Sequence, residues 1–238
     1  MVMHLGPRDL GTILSVWAHP DDETYLAGGI MAEAAANDQR VICVSATAGE
    51  CGTDDPVVWP PERLGRVRRW EAAAAMAVLG VADHRWLDYS DGALADLDPT
   101  GPVARVADLI VAEQPDTVLT FGPDGVTFHP DHVTVSAWVG AACEKVGFRG
   151  RLLQTAVSEE RWRVWAQRYE QWGVFMTDDR PSPVPLAEID LRLALHGATM
   201  DRKVAALLAM HTQTAPALAL LGETDFRALN NEECFVLA

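Results

Sequence analysis

Two short clusters hold the side chains of this sequence best suited to chemistry: His19-Pro20-Asp21-Asp22-Glu23 and His129-Pro130-Asp131-His132. His19 and Asp22 stand three residues apart, as do His129 and His132, a spacing that lets both members of a pair face one point from a single turn. Nitrogen and oxygen donors from His19, Asp22 and His132 make a three-ligand set. Such a set leaves one position open for water, the pattern of catalytic zinc. Two histidines and one carboxylate also suit ferrous iron.

Each cluster follows a run that reads as a buried strand. The first, Ile13 to Ala18, is uncharged and empties into His19 and three carboxylates. The second, Asp116 to Phe121, leads through Gly122-Pro123-Asp124-Gly125 to His129. Buried charge is costly unless paired or metal-bound, whereas open α/β sheets place their sites at the carboxyl ends of strands. Further strands are expected at Val41 to Ala46, His84 to Tyr89 and Leu152 to Val157. Helices are expected at Thr24 to Asn37, where Gly28-Gly29 allows close packing on the sheet, and at Arg63 to Leu79, Val103 to Glu113 and Pro130 to Val146. Strands alternating with helices predict an α/β fold: a Rossmann-like parallel sheet with helices on both faces. Beyond Ser158 the pattern is less regular. A helix is expected over Glu160 to Trp172, a strand over Ile189 to His196, a helix over Thr199 to His211, and a last strand over Glu233 to Leu237.

Composition sets the class. Of 238 residues, 49% are hydrophobic and 22% charged, and with neither repeats nor low-complexity segments one domain over 1–238 is expected. A formal charge of -15 argues against a nucleic-acid partner. The basic run Arg63 to Arg69 reads as a solvated helix face for most of its arginines. No apolar run reaches the ~20 residues of a membrane span, and no signal-peptide pattern precedes Gly11. The four cysteines form no CxxC pair, and Cys43 and Cys143 sit in apolar patterns as reduced core residues. A cytoplasmic location is expected.

The pairing of AHPDDE with HPDH about one hundred residues later resembles the PIG-L/LmbE family of zinc-dependent N-acetylglucosaminyl deacetylases. The similarity extends to about Val157. It takes in the loop ATAGECG, the helix with Arg68 and Glu71, and TFGPDGVTFHPDH; KVAALLAMHTQ, from Lys203 to Gln213, is a weaker echo. The resemblance implies that His19, Asp22 and His132 hold the metal and that Asp21 is the general base. It further implies that His129 assists at the developing charge, tuned by Asp131, and that Glu50, Arg68 and Asp91 bind sugar hydroxyls. Zinc there would polarise the amide carbonyl and bring the pKa of bound water toward ~7, Asp21 taking its proton and a protonated His129 stabilising the oxyanion. The partner is then a small amino-sugar substrate, and a homo-oligomer is possible.

Other readings bear on these residues. The first strand is followed by no GxGxxG, which disfavours a dinucleotide-binding enzyme. A non-catalytic metal protein would need a fourth ligand, which Asp21 could supply. An amidase acting on thiol conjugates or other N-acyl compounds is the nearest alternative activity. For Arg68 the alternative to substrate contact is an ion pair with a carboxylate. Glu23 reads as a helix-start charge. His4, His84 and His196 read as ordinary, and His211 stands open between packing and lining the site.

Overall fold

The computed structural model describes residues 5–238, so His4 lies outside them. Its centre is a seven-stranded sheet in the order β3-β2-β1-β4-β5-β7-β6. The first five strands run parallel: β1 (Ile13–Trp17), β2 (Val41–Thr47), β3 (Asp83–Tyr89), β4 (Thr117–Thr120) and β5 (Arg151–Thr155). Every residue of β1, β2 and β4 is buried, which explains why their sequences are near-continuous apolar runs and not alternating ones. The buried hydroxyls of Thr47, Thr117 and Thr120 donate to the carbonyls of Ala18, Leu10 and Val16 at 3.1, 2.7 and 3.0 Å, so these polar side chains are satisfied inside the core.

Helices α1 (Asp22–Ala36), α2 (Pro61–Leu79), α3 (Thr100–Glu113) and α4 (Pro130–Val146) make the crossovers, and α5 (Glu159–Gln171) follows β5. α1 and α2 pack together with the later α6 (Gly197–Ala209), while α3 packs on α4. Right-handed crossovers place these groups on opposite faces. The chain leaves β1 toward β2 and β3, then returns to β4 on the other side of β1. Strand order therefore reverses between β1 and β4, the point at which open α/β sheets form a crevice. Both His/Asp clusters follow these two strands.

The C-terminal part departs from a purely parallel sheet. β7 (Glu232–Leu237) pairs antiparallel with β5 and with β6 (Leu191–Ala194). An antiparallel strand needs no crossover helix; β7 follows α7 (His211–Leu229) and fits between β5 and the edge strand β6. The helix expected at Thr199 to His211 is α6, and a further helix not expected from the sequence, α7, follows it at an angle of 116°. α7 contains Pro216 and a kink at Gly222, whose φ is 70°; these breakers hide it from a periodicity reading. No single helix among the described residues is long and apolar enough to cross a membrane. All four cysteines are free thiols.

A buried ion pair joins the C-terminal part to α1. Lys203, fully buried, donates to the Tyr25 carbonyl and to the Glu233 carboxylate, both at 2.7 Å. Glu233 accepts the amides of Gly29 and Ile30 at 2.7 and 2.8 Å. The close approach at Gly28-Gly29 is to the β7–β6 side of the sheet and to α6: a Cβ at Gly29 would stand 2.3 Å from Leu195 and 3.2 Å from Glu233, and one at Gly28 would lie 3.5 Å from Lys203.

Candidate active site

α1 begins at Asp22, two residues earlier than its apolar pattern suggests. The chain turns sharply at Asp21, whose φ of 122° lies in a region that residues other than glycine rarely adopt. Its carbonyl accepts the amides of Thr24 and Tyr25, both at 2.9 Å. This turn sends Asp22 back toward His19, whose amide donates to the Asp22 carboxylate at 2.7 Å. Such strain persists only where the surroundings over-determine it, commonly at functional sites.

The second cluster is built by an equally tight loop. Val126 and Phe128 have φ of 67° and 60°; for a β-branched valine this is an outlier. Gly125 presses so closely on α4 that a Cβ there would lie 2.7 Å from that of His132. Its carbonyl then stands 3.0 Å from His132 Nδ1. This support was not named from the sequence, although the turn Gly122-Pro123-Asp124-Gly125 was its visible mark.

His19 Nδ1 lies 3.1 Å from His132 Nε2. The Asp22 carboxylate stands 3.3 Å from that His132 nitrogen and 3.5 Å from His19 Nδ1. The outer nitrogens fix the tautomers. His132 Nδ1–H donates to the Gly125 carbonyl, and His19 Nε2–H points at Asp91 and Asp131 at 3.0 and 3.2 Å. His19 Nδ1, His132 Nε2 and the Asp22 carboxylate therefore face one another, an arrangement that a proton on His19 or a bound cation reconciles. His132 Nε2 faces one oxygen of Asp22 and His19 Nδ1 faces the other. Two imidazoles and a carboxylate are donor types that suit a divalent cation.

Two other groupings could be drawn here, His19 with His129 and His132, and His19 with Asp91 and Asp131. His129 Nδ1 is already taken by the Asp131 amide at 3.1 Å. Asp131 accepts the Gly92 and Leu94 amides at 2.8 and 3.1 Å, and Asp91 accepts that of Cys51 at 2.8 Å. These carboxylates hold the outer N–H of His19, which orients the ring.

The structure places the other site residues around this cluster. The Asp131 carboxylate faces His19, and it is the Asp131 backbone amide that contacts His129. Because that amide donates to Nδ1, the neutral His129 ring offers its Nε2–H; burial and then the nearby His19 charge lower its pKa, with the charges of Asp131, Asp22 and Asp91 opposing them. Arg68 is buried and binds the carbonyls of Gly49 and Pro20, both at 2.6 Å, and the Asp21 carboxylate at 3.3 Å. The ion pair weighed for it is present. Glu50 Oε1 accepts the Asp91 amide at 3.0 Å, while its Oε2 is buried without a partner among the described residues. Glu23, at the helix start as expected, is fully buried and accepts the Asp21 amide at 3.1 Å. His211 is exposed; its neighbours reach inward instead, Thr212 to Glu71 at 2.8 and 2.6 Å and Gln213 to the Gly52 carbonyl at 3.1 Å. His84 contacts Ser45 at 3.0 Å, away from the cluster.

Burial opposes charge on every group here, and the partners decide where it remains. Burial alone would lower the His19 pKa, but the carboxylates of Asp131, Asp22 and Asp91 raise it well above the ordinary value. Burial would raise Asp22, yet His132 and His19 hold it below the carboxylate range. Its neighbour goes the other way: burial pushes Asp21 up to about 7, with Arg68 only partly offsetting it. Environments that push two carboxyl groups apart mark separate roles.

A family model described as PIG-L, GlcNAc-PI de-N-acetylase, matches residues 14–143, more than half the chain and inclusive of both clusters. The chain belongs to the PIG-L family. Two relatives named 1D-myo-inositol 2-acetamido-2-deoxy-alpha-D-glucopyranoside deacetylase support this. That of Kineococcus radiotolerans is 31% identical over 248 aligned positions, covering 84% of this chain and 68% of the relative. That of Acidothermus cellulolyticus is 31% identical over 268 positions, covering 95% and 88%. Among solved structures, an N,N'-diacetylchitobiose deacetylase from Pyrococcus horikoshii superposes with a TM-score of 0.65 at 21% identity, over 97% of this chain and 85% of that one. That likeness is one of fold. In this PIG-L chain the matched segment ends within α4, so the C-terminal part with α5 to β7 lies beyond it.

Proposed function

We propose that this chain hydrolyses the N-acetyl amide of an N-acetylglucosamine-type conjugate, releasing acetate and a free amine. His19, Asp22 and His132 would hold a divalent cation, zinc or ferrous iron. The observation that supports this most is the convergence of two imidazole nitrogens and the Asp22 carboxylate, within a PIG-L chain. When bound, the cation supplies Lewis acidity at the amide carbonyl.

Asp21 takes the proton of the attacking water and passes it to the departing nitrogen. Burial raises the Asp21 carboxyl above the usual carboxylate range, which favours proton uptake from water. Its strained backbone and Arg68 fix the carboxylate, so little reorganisation is needed. His129 donates its Nε2–H to the carbonyl oxygen as that atom gains charge. Asp91 and Asp131 keep His19 in the tautomer that leaves Nδ1 free. The unpartnered Glu50 Oε2 suits a hydroxyl donor of the sugar; Arg68 and Asp91 act on the site from behind and not on the substrate.

The test is an activity screen of the metal-loaded protein against N-acetylglucosaminides, inositol-linked ones first, read by release of free amine. A chelator should stop the reaction, and added zinc should restore it. If thiol-conjugate or simple N-acyl amides are cleaved and no N-acetylated amino sugar is, the amidase alternative replaces this reading. A metal-loaded protein inert toward all of them would favour a non-catalytic metal role.

A further inference from the structure

Beside the His/Asp cluster, a cavity of ≈ 170 Å³ opens between α1, α5 and the β5–β7 edge of the sheet. Trp162, Tyr169 and Phe175 line it, their ring centroids 6.0 to 6.3 Å apart, and Leu26, Val126 and Val157 continue the apolar wall. Several polar groups on its walls already have partners, Arg161 among them, which hydrogen-bonds Tyr169. Glu232 binds Ser158 and Arg192 at 2.8 and 2.6 Å, Glu233 binds Lys203 at 2.7 Å, and Asn230 donates to the Phe226 carbonyl at 2.9 Å. A polyhydroxylated ligand would find few partners along the aromatic and aliphatic walls, whereas an apolar group needs none.

Two walls of this cavity belong to the reaction centre. Tyr25 lies one turn along α1 from Asp21 and donates its amide to the Asp21 carbonyl at 2.9 Å. Val126 sits between Gly125, whose carbonyl holds His132, and Thr127, whose hydroxyl lies 3.5 Å from the same nitrogen. The Thr127 carbonyl also accepts the Met176 amide at 2.9 Å, tying the aromatic segment to the histidine loop.

We infer that this cavity is a subsite for an apolar substituent on the amino-sugar substrate, one aromatic ring or a short alkyl chain in size. The inference rests on the deacetylase reading above. An apolar cavity of roughly 150 Å³ is known to take benzene, so the volume here fits one ring. The substituent could be borne on the anomeric oxygen or on the amide as a longer acyl chain. Both present the same chemistry to Trp162 and Phe175.

The experiment compares kcat/KM of the metal-loaded protein in two arms: phenyl against methyl N-acetylglucosaminide, and N-butanoyl against N-acetyl on the methyl glycoside. A preference of about 10- to 100-fold, lying in KM, is expected in one arm from burial of a ring or chain. The arm that shows it identifies which end of the substrate enters. Trp162→Ala and the cavity-filling Val157→Phe should each bring that ratio close to one, with unchanged melting temperature of Val157→Phe confirming a folded protein. No preference in either arm, or a preference indifferent to both variants, overturns the subsite. If no amino sugar is cleaved at all, the deacetylase reading falls and binding of phenyl glucoside, which has no amide to lose, is measured by calorimetry. Binding abolished by Val157→Phe upholds the subsite, and absence of binding to the unaltered protein overturns it.

Discussion

Arg68 stands 3.3 Å from the Asp21 carboxylate while the same guanidinium binds the Pro20 and Gly49 carbonyls. One buried fork thus fixes the proposed base, the turn that strains it, and the loop after β2. Arg68→Met strands all three acceptors, and a buried pair broken on one side costs about 3–5 kcal/mol. Urea denaturation should show that loss and turnover should fall with it. Arg68→Lys keeps the charge without the fork, so it should recover only part of each. Stability and turnover both unchanged in Arg68→Met would remove this residue from the scaffold of the site.

The adjacent aspartates should separate cleanly. Asp22 faces His132 Nε2 at 3.3 Å, whereas Asp21 faces Arg68. Asp21→Asn should keep the metal and lower turnover by about 10²- to 10⁴-fold, the usual contribution of a general base. Asp22→Asn, like His132→Ala, should lose metal. Elemental analysis and initial rates on the three variants decide this, and an emptied site in Asp21→Asn would reverse the assignment.

Much of this arrangement was legible because buried parallel strands leave an unmistakable trace. Ile13 to Trp17 and Val41 to Thr47 are covered on both faces, so burial itself dictates an unbroken apolar run, and the charged residues after Trp17 mark where the run meets the crevice. The residues that steer His19 were less visible. Asp91 lies in a turn after β3, and it meets His19 only because that turn reaches across β2 to the β1–β4 crevice. Nothing in a local pattern encodes such a reach. The same holds for α7, whose Pro216 and Gly222 break the periodicity while Thr212 and Gln213 tie it to the site by long-range bonds. The direction of β7 is likewise set by its partners across the sheet, since hydropathy is indifferent to strand polarity.

The pair that grips the outer nitrogen of His19 should matter for metal affinity more than for substrate. Asp91→Asn and Asp131→Asn each leave the His19 N–H with one carboxylate in place of two. Partners of this kind typically contribute 10- to 100-fold in metal affinity. Competition with a chromogenic chelator should show a weaker site in each variant and a much weaker one in the double variant. If affinity is unchanged and only KM rises, Asp91 contacts the sugar, as the resemblance first implied.

The last prediction concerns the buried pair that couples the C-terminal part to α1. Lys203 and Glu233 are both shut away from solvent, their ion pair is 2.7 Å long, and Glu233 also accepts the Gly29 and Ile30 amides. Lys203→Met leaves the Glu233 charge buried with backbone amides as its remaining partners. Burial disfavours an uncompensated charge strongly, so a loss of about 3–5 kcal/mol is expected in urea denaturation. Glu233→Gln keeps one oxygen for the amides of α1 but strands the ammonium of Lys203, and a comparable loss is expected. The double variant removes both charges together, so its loss should be smaller than the sum of the two single ones, the mark of direct coupling. A strictly additive double variant would show instead that the two side chains support α1 independently, and that the link from β7 to the catalytic turn runs through packing at Gly29 and Leu195.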